Sequence, residues 1–320
     1  MGIGRQQGLF VCVSLVIALV VGCLTYFAMW GIKVSSCRFL DQPDTYLSYC
    51  NNPAFSDYEH QAYFLPSEPQ AISALKRAEV VFLGSSRMQI GFSTDEVGAY
   101  FTSRLIPYHL LGFGYTEADA FPLMLMKEYN VRPRVVIINT DPFFTSEMSA
   151  MATGLISDRY AAIADAIKKK VFFKTIGIFC WMPGICTGER GSIYRDLETG
   201  RWIWQGLLMP RSRAVAEIPA ERPAGLAAMS GWIERANRFL DELKLDRRCV
   251  IFTGIPNPTF DAEAIAIEIG RSLGVTSVVP RLEGLTSPDA SHLSAPSAEL
   301  WSAAFLSQSQ PVFDRCLPKR

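Results

Sequence analysis

The segment Glu79-Val80-Val81-Phe82-Leu83-Gly84-Ser85-Ser86-Arg87 decides the fold class. Its short apolar run stops at Gly84, which predicts a buried strand that leads into a turn and then a helix. Helix and strand patterns surround it: helix 70–77, helix 93–104, strand 105–111, helix 116–129 and strand 134–138. Strands that alternate with helices at this spacing indicate a parallel sheet covered by helices on both faces.

The alternation breaks after residue 145 and resumes near residue 225. Residues 146–222 are therefore interpreted as an insertion, in which the segment from Ser192 to Gln205 predicts a hairpin. The later elements are a helix at 225–243, a strand at 249–253, a helix at 261–273, a strand at 275–279 and a helix at 296–307. Residues 66–320 thus predict a flavodoxin-like three-layer α/β/α domain with one insertion.

Composition and charge narrow the class of protein. The chain has 320 residues, of which 49% are hydrophobic and 19% charged. This length supports one large domain with a sizeable core, and the balance is typical of a globular protein. Lys and Arg together number 31, as do Asp and Glu, so the formal net charge is zero. This balance gives no reason to expect nucleic acid as a partner.

The N-terminal residues 9–32 contain no charged side chain. As a helix they would extend about 36 Å, enough to cross a hydrocarbon core of about 30 Å. This predicts a single transmembrane anchor, with residues 1–8 as a cytoplasmic tail and the polar residues 33–65 as a juxtamembrane linker. The alternatives are a cleaved signal peptide, whose apolar region is usually about 7–15 residues long, and a lipoprotein cleavage site at Cys23. The flanking charges are nearly balanced and leave the orientation undecided.

The cysteines indicate the compartment. Six of them lie outside the predicted anchor: Cys37, Cys50, Cys180, Cys186, Cys249 and Cys316. An even number of separated cysteines fits disulfides in an oxidising compartment, with buried free thiols as the alternative. The body of the chain is therefore predicted to be extracytoplasmic, in the periplasm, on an inner-membrane anchor. With no CxxC pair and only three His, no metal site is expected, and the chemistry considered below needs no cofactor.

Fold geometry favours particular pairs of cysteines. The strand that begins at Cys249 and the tail of the last helix, which carries Cys316, should meet at one end of the sheet. A Pro-Gly turn could bring Cys180 and Cys186 together. The remaining two would then form the pair Cys37–Cys50.

Polar residues and glycines stand at predicted strand ends, where ligands bind in an open parallel sheet. Ser86 follows the first strand, and Gly112 and Gly114 close the second. Asp289 and His292, three residues apart, precede the last helix and can place a carboxylate beside an imidazole, as a general base requires. Each group also has an interpretation without catalysis. Ser86 could simply cap a helix, Gly112 and Gly114 could form an ordinary turn, and His292 could have no function.

Together these residues resemble the SGNH (GDSL-type) hydrolase superfamily, in its bacterial membrane-anchored branch. The resemblance rests on Gly84-Ser85-Ser86-Arg87, on the Gly112/Gly114 turn and on the Asp289-x-x-His292 element before the last helix. It covers residues 79–145 and 225–307 and leaves the insertion unexplained. It implies that Ser86 is the nucleophile, that His292 is the general base and that Asp289 orients the base.

The resemblance also implies an oxyanion hole, built from the backbone N–H of Ser86 and that of Gly112 or Gly114. The chain departs from the family pattern at two places. Ser85 stands where the family usually has Asp, and Asn139 is one place out of register with the family's Asn.

Further residues are candidates for substrate contact: Arg87, Asn139 and Asp141 near the strand ends, and Tyr194, Trp202 and Trp204 on the predicted hairpin. The alternative for Arg87 is a structural ion pair with Asp141. The alternative for the aromatic residues is packing of the hairpin onto the core.

The function implied by the resemblance is serine acyl chemistry on an ester. An esterase or O-acyltransferase of this kind acts on an extracytoplasmic carbohydrate or lipid ester. Related anchored proteins act in O-acetylation or deacylation of cell-surface polysaccharides, or in D-alanine transfer to surface polymers, so other envelope polysaccharide proteins are expected partners. The alternative is a non-catalytic member of the same fold that binds a polymer or acts as a scaffold of an envelope assembly.

Overall fold

The computed structural model describes residues 3–34, 37, 40, 42–52, 55–114, 117–145, 147–180, 191–205, 216–219, 222 and 229–318. Within these residues the helices are α1 (Ile3–Val34), α2 (Glu59–Phe64), α3 (Pro69–Arg77), α4 (Ser86–Phe92), α5 (Asp95–Ser103), α6 (Ala120–Glu128), α7 (Ala150–Ser157), α8 (Arg159–Cys180), α9 (Met229–Leu243), α10 (Ala262–Leu273) and α11 (Ala295–Cys316). The strands are β1 (Thr45–Cys50), β2 (Ser56–Asp57), β3 (Val80–Ser85), β4 (Tyr108–Phe113), β5 (Val135–Asn139), β6 (Ser192–Asp196), β7 (Trp202–Gln205), β8 (Ala216–Glu217), β9 (Val250–Thr253), β10 (Thr276–Ser277) and β11 (Thr286–Ser287).

A five-stranded parallel sheet has the order β10-β9-β5-β3-β4. Counted along the chain from β3 and read from β4, this order is 2-1-3-4-5, as in flavodoxin-like folds. The predicted α/β class with a parallel sheet is confirmed. The strand order reverses between β3 and β5, and folds of this kind bind their ligands at the carboxyl end of that pair.

Alternate side chains of the sheet enter two separate hydrophobic cores. In β3, Val81 and Leu83 belong to one core, and Val80 and Phe82 belong to the other. All four are fully buried, as expected for a strand covered on both faces. Helices α6, α9 and α10 pack against the first core and α4, α5 and α11 against the second, so the sheet is the middle of three layers.

Two elements differ from the sequence prediction in an informative way. Helix α4 follows β3 directly, although the predicted helix after this strand began only at residue 93. Its Gly91 weakens the helical pattern, and a Cβ there would lie 2.7 Å from Ile255 Cδ1, so the close contact requires glycine. The second strand begins at Tyr108 rather than at residue 105, because Leu105 has a φ of 55° in the turn after α5.

A second, antiparallel sheet has the order β2-β1-β6-β7. Its hairpin β6–β7 confirms the hairpin predicted in the insertion, with Ser192 opposite Gln205. Residues 33–65, predicted as an irregular linker, instead contain β1, β2 and α2, which corrects that prediction. The pairing of β1 with β6 places Tyr46 opposite Arg195. A strand whose partner is this distant leaves little local signal in a segment rich in Asn and Pro.

Two of the predicted disulfides are present. Cys37 bonds to Cys50, and Cys249 bonds to Cys316, with Cα atoms 5.9 Å and 5.7 Å apart. The second bond forms because α11 continues beyond its predicted end at residue 307 and reaches the start of β9. The predicted Cys180–Cys186 bond lies outside the described residues.

The predicted anchor at residues 9–32 lies within α1. Among the described residues, no helix is found that is both long enough and apolar enough to cross a membrane.

Candidate active site

Ser86 and His292 meet at the carboxyl end of the parallel sheet. Ser86 is the first residue of α4, immediately after β3, and its Oγ lies 2.9 Å from His292 Nε2. The other ring nitrogen, His292 Nδ1, lies 2.7 Å from Asp289 Oδ2. Residues 206 positions apart in the sequence are thus joined in one hydrogen-bonded chain, with the three groups in the order that the sequence predicted.

The loop before α11 fixes the orientation of the imidazole. Asp289 Oδ1 accepts hydrogen bonds from the backbone N–H groups of Ser291 at 2.9 Å and His292 at 2.8 Å. Partial burial would raise the pKa of Asp289, but the hydrogen bond and charge of His292 hold it at about 2. An ionised Asp289 accepts a hydrogen bond from Nδ1–H, so the lone pair of Nε2 faces the Ser86 hydroxyl and can take its proton.

Arg87 ties this loop to the end of β5. Its Nε donates to the backbone oxygen of Ser291 at 3.0 Å, and its Nη1 donates to both carboxylate oxygens of Asp141 at 2.9 and 3.0 Å. Burial raises the pKa of Asp141 to about 7, although the guanidinium of Arg87 acts in the opposite direction. The structural ion pair is therefore confirmed, and Arg87 positions the backbone next to His292.

The three residues predicted to bind substrate near the strand ends do not line the cleft in the described part of the chain. Arg87 and Asp141 satisfy each other, as above. Asn139 is fully buried, and its Oδ1 accepts the backbone N–H of Ile255 at 3.1 Å. Its Nδ2 has no partner among the described residues. Contact of these three side chains with a substrate stays a prediction from the sequence.

The predicted oxyanion hole is only partly in place. Gly114 lines the cleft, but its N–H donates to Glu59 Oε1 at 2.7 Å. Gly112 lies within β4, where a Cβ would collide with Met88 Cε, so its role is close packing of α4 on the sheet. The N–H of Ser86 has no acceptor within its own helix because Ser86 is the first helical residue. Of the predicted donors, it has the best position to face an oxyanion.

A cleft of about 260 Å³ opens beside Ser86 and His292. One wall is formed by the second sheet, through Tyr49 of β1, Asp57 of β2, Ile193 of β6, and Trp202 and Trp204 of β7. Ile90 of α4 and Glu59 of α2 also line it. The segment predicted as a linker and the insertion hairpin together form this wall.

The hairpin aromatics serve different purposes. Trp202 is buried, and its Nε1 donates to Glu59 Oε2 at 3.0 Å. The Tyr194 hydroxyl accepts the backbone N–H of Leu40 at 3.0 Å, so Tyr194 packs the hairpin onto the core. Trp204 is only half-buried and lines the cleft, with its ring 5.3 Å from that of Trp202. Packing therefore accounts for Tyr194, while Trp204 can contact a ligand.

Comparisons with family models, with curated proteins and with solved structures find no match for this chain. The likeness to SGNH hydrolases therefore rests on the residues quoted above.

Sequence reasoning missed Glu59, which is buried at the cleft. Its Oε1 accepts the N–H of Gly114, and its Oε2 accepts from Arg195 Nη1 at 3.2 Å and from Trp202 Nε1. Burial raises the pKa of Glu59 to about 7, although Arg195 acts in the opposite direction. The signal that could have found this group is the charged cluster Asp57-x-Glu59-His60, in which the Asp-x-x-His spacing recurs.

His60 is a buried cation behind the cleft. Its Nδ1 lies 3.0 Å from Asp57 Oδ1, and its Nε2 lies 3.2 Å from Glu117 Oε2. Burial alone would lower the pKa of His60, but the two carboxylates raise it to about 10. Asp57, Glu59 and His60 place their ligand-type atoms within 4.8 Å of one another. Because both ring nitrogens of His60 face carboxylates, both carry protons, and no lone pair is available to a metal ion.

Because His60 is buried between carboxylates, we predict that the free energy of unfolding falls as pH rises above neutrality. Unfolded His60 loses its proton near pH 6.5, whereas folded His60 keeps it until about pH 10, so the folded state binds more protons in this window. We expect the free energy of unfolding in urea to decrease from about pH 7.5 to about pH 9.5, and His60→Gln to remove much of this decrease. His109→Gln is the control, because burial lowers the pKa of His109 to about 3 and both states are neutral in this window. An unchanged slope in folded His60→Gln would contradict the assignment.

Proposed function

We propose that this chain is a serine-dependent acyl ester hydrolase or O-acyltransferase that acts on an extracytoplasmic carbohydrate or lipid ester. The observation that carries the proposal is the chain from Ser86 Oγ through His292 to Asp289, with distances of 2.9 and 2.7 Å. A serine hydroxyl is a weak nucleophile unless a neighbouring base takes its proton, and this arrangement supplies the base and its orienting group. The position at the strand-order reversal of the sheet supports it as well.

The proposed reaction has two steps. Ser86 Oγ attacks the acyl carbonyl carbon while its proton passes to His292 Nε2, and Asp289 stabilises the resulting imidazolium. The negative oxygen of the tetrahedral intermediate faces the Ser86 N–H. The ester C–O bond then breaks, and the leaving alcohol takes the proton from His292. Water or an acceptor alcohol attacks the acyl-serine by the same steps in reverse, which regenerates Ser86.

We place the domain outside the cytoplasm. Two disulfides, Cys37–Cys50 and Cys249–Cys316, support this location, because such bonds persist in oxidising compartments. Attachment to the inner membrane through residues 9–32 stays a prediction from the sequence.

The full-length protein should be assayed with a short-chain reporter ester, with and without a carbohydrate acceptor. We expect release of the reporter alcohol above the buffer rate, since Ser86 and its base are already hydrogen-bonded to each other. A transferase would form acylated carbohydrate at the expense of free acid, whereas a hydrolase would form free acid in both reactions. A folded protein that releases no reporter alcohol would contradict the proposal.

One observation favours the second candidate, a non-catalytic polymer-binding or scaffold protein. The Gly114 N–H that the family resemblance assigns to the oxyanion hole donates to Glu59 at 2.7 Å. Each missing oxyanion donor costs an enzyme about 10²–10³-fold in rate. An inert but folded protein that still binds an envelope polysaccharide would support this candidate.

A further inference from the structure

The carboxylates beside Ser86 outnumber the cations that pair with them, because His60 is shared between Asp57 and Glu117 while Arg195 is paired with Glu59. Among the described lining residues, Asp57, Glu59 and Asp289 are acidic, and none is Lys or Arg. Asp289 is paired with His292. Arg195, behind the wall, is fully buried and donates to Glu59 and to backbone oxygens. The charge of the lining therefore favours a cationic ligand over an anionic one.

Asp57 provides the second, independent observation. Its side chain is 1% exposed, and its Oδ1 accepts from the backbone N–H and the Nδ1–H of His60. Its Oδ2 has no hydrogen-bond partner among the described residues. Lys169 contacts Asp57 through the main-chain oxygen and not through the carboxylate. Its Nζ also donates to Gln61 and is paired with Asp165 at 2.8 Å. A buried carboxylate that shares its only cation keeps an uncompensated negative charge, so a ligand that brings a positive charge here is favoured.

Aromatic rings form the adjoining wall. Trp202 and Trp204 meet at an interplanar angle of 77° with centroids 5.3 Å apart, and Tyr49 lines the same cleft. These rings line the same cleft as Asp57. Ammonium groups are attracted to the faces of Trp and Tyr, and most strongly where water is excluded.

We propose that this cleft recognises an ester that carries an ammonium group, with Asp57 and Trp204 binding the cation next to the reacting carbonyl. Catalysis on that ester rests on the proposed function of Ser86, whereas binding of the cation does not. A neutral sugar hydroxyl could also donate to Asp57 Oδ2, but it would leave the negative charge of the lining uncompensated. A divalent metal is disfavoured because His60 has no free ring nitrogen.

The test compares acetylcholine with 3,3-dimethylbutyl acetate, which has the same shape but a carbon in place of the charged nitrogen. With full-length protein at about pH 8, where Glu59 is mostly ionised, we expect kcat/KM to be about 10-fold higher for the charged ester. Asp57→Asn should bring this ratio close to one. Asp95→Asn is the matched control, since the Asp95 side chain is 98% exposed and lies outside the cleft, and it should leave the ratio as in the wild type.

A second variant and a binding measurement keep the two proposals separate. Trp204→Leu, at a half-buried position, should also lower the ratio of kcat/KM for the charged ester to that for the neutral one. This variant tests the subsite if Asp57→Asn fails to fold. Binding of choline to Ser86→Ala should be detected by saturation-transfer NMR and lost on adding Asp57→Asn. Choline binding without hydrolysis of either ester would uphold the subsite and contradict the proposed function. Ser86-dependent hydrolysis of both esters at equal rates, or a preference that requires added metal, would overturn the subsite alone.

Discussion

Ser86→Ala and His292→Ala are each expected to lower kcat/KM for ester hydrolysis by about 10³-fold or more. The two side chains act as one unit through the 2.9 Å hydrogen bond from Ser86 Oγ to His292 Nε2. Removing the nucleophile leaves the base without a proton to take, and removing the base leaves a neutral hydroxyl. The double variant should therefore be little slower than either single variant, as measured with a reporter ester and a melting curve for each protein.

Neighbouring changes serve as controls for this prediction. Ser85→Ala should have a milder effect, because the Ser85 hydroxyl caps α4 by accepting the N–H of Arg87, whereas the hydrogen bond to His292 comes from Ser86. Asp289→Asn should cost less than His292→Ala, since Asp289 orients the ring and stabilises its cation. Losses that multiply in the double variant would show that the two residues act independently.

Arg195→Met is expected to reduce the free energy of unfolding by about 3–5 kcal/mol. The Arg195 side chain is fully buried and donates to Glu59, to the backbone oxygen of Gly200 at 3.1 Å and to that of Leu110. A methionine of similar volume would leave the Glu59 carboxylate buried without its counter-charge, and would leave two carbonyls without that donor. Urea denaturation of the full-length protein measures the loss.

An exposed ion pair is the matched control. Arg77 and Glu198 lie 2.8 Å apart, but their side chains are 57% and 64% exposed. Arg77→Met should change the free energy of unfolding by less than about 1 kcal/mol, because solvent screens such pairs. A similarly small effect of Arg195→Met would contradict the expected cost of leaving the buried Glu59 carboxylate without its counter-charge.

The parallel sheet and the position of Ser86 could be predicted because they depend on local patterns. The run from Val80 to Leu83 is apolar on both faces, and a strand covered on both faces requires that. The carboxyl ends of parallel strands meet at one edge, so Ser86 after β3 and the Asp289–His292 loop before α11 were expected near each other. Hydrogen bonds from His292 to Ser86 and to Asp289 join them.

The second sheet and the acidic wall could not be predicted in the same way. The pairing of β1 with β6 depends on side chains 145 residues apart, such as Ser48, whose hydroxyl donates to the backbone oxygen of Ile193. No local period reveals such a register. The same limit hid the bond from Gly114 N–H to Glu59, which joins α2 to the end of β4 and changes the expected oxyanion hole.

The most direct test of the central claim is covalent labelling of the full-length protein with a fluorophosphonate, followed by peptide mapping. The phosphorus reagent reacts with a serine whose hydroxyl is activated by a base, and does not require knowledge of the natural ester. Because Ser86 is hydrogen-bonded to His292 at the open cleft, we predict one adduct per chain, on the peptide that contains Ser86, and a much slower reaction in His292→Ala. A folded protein with Ser86 unmodified, or with the label on another serine, would contradict the account.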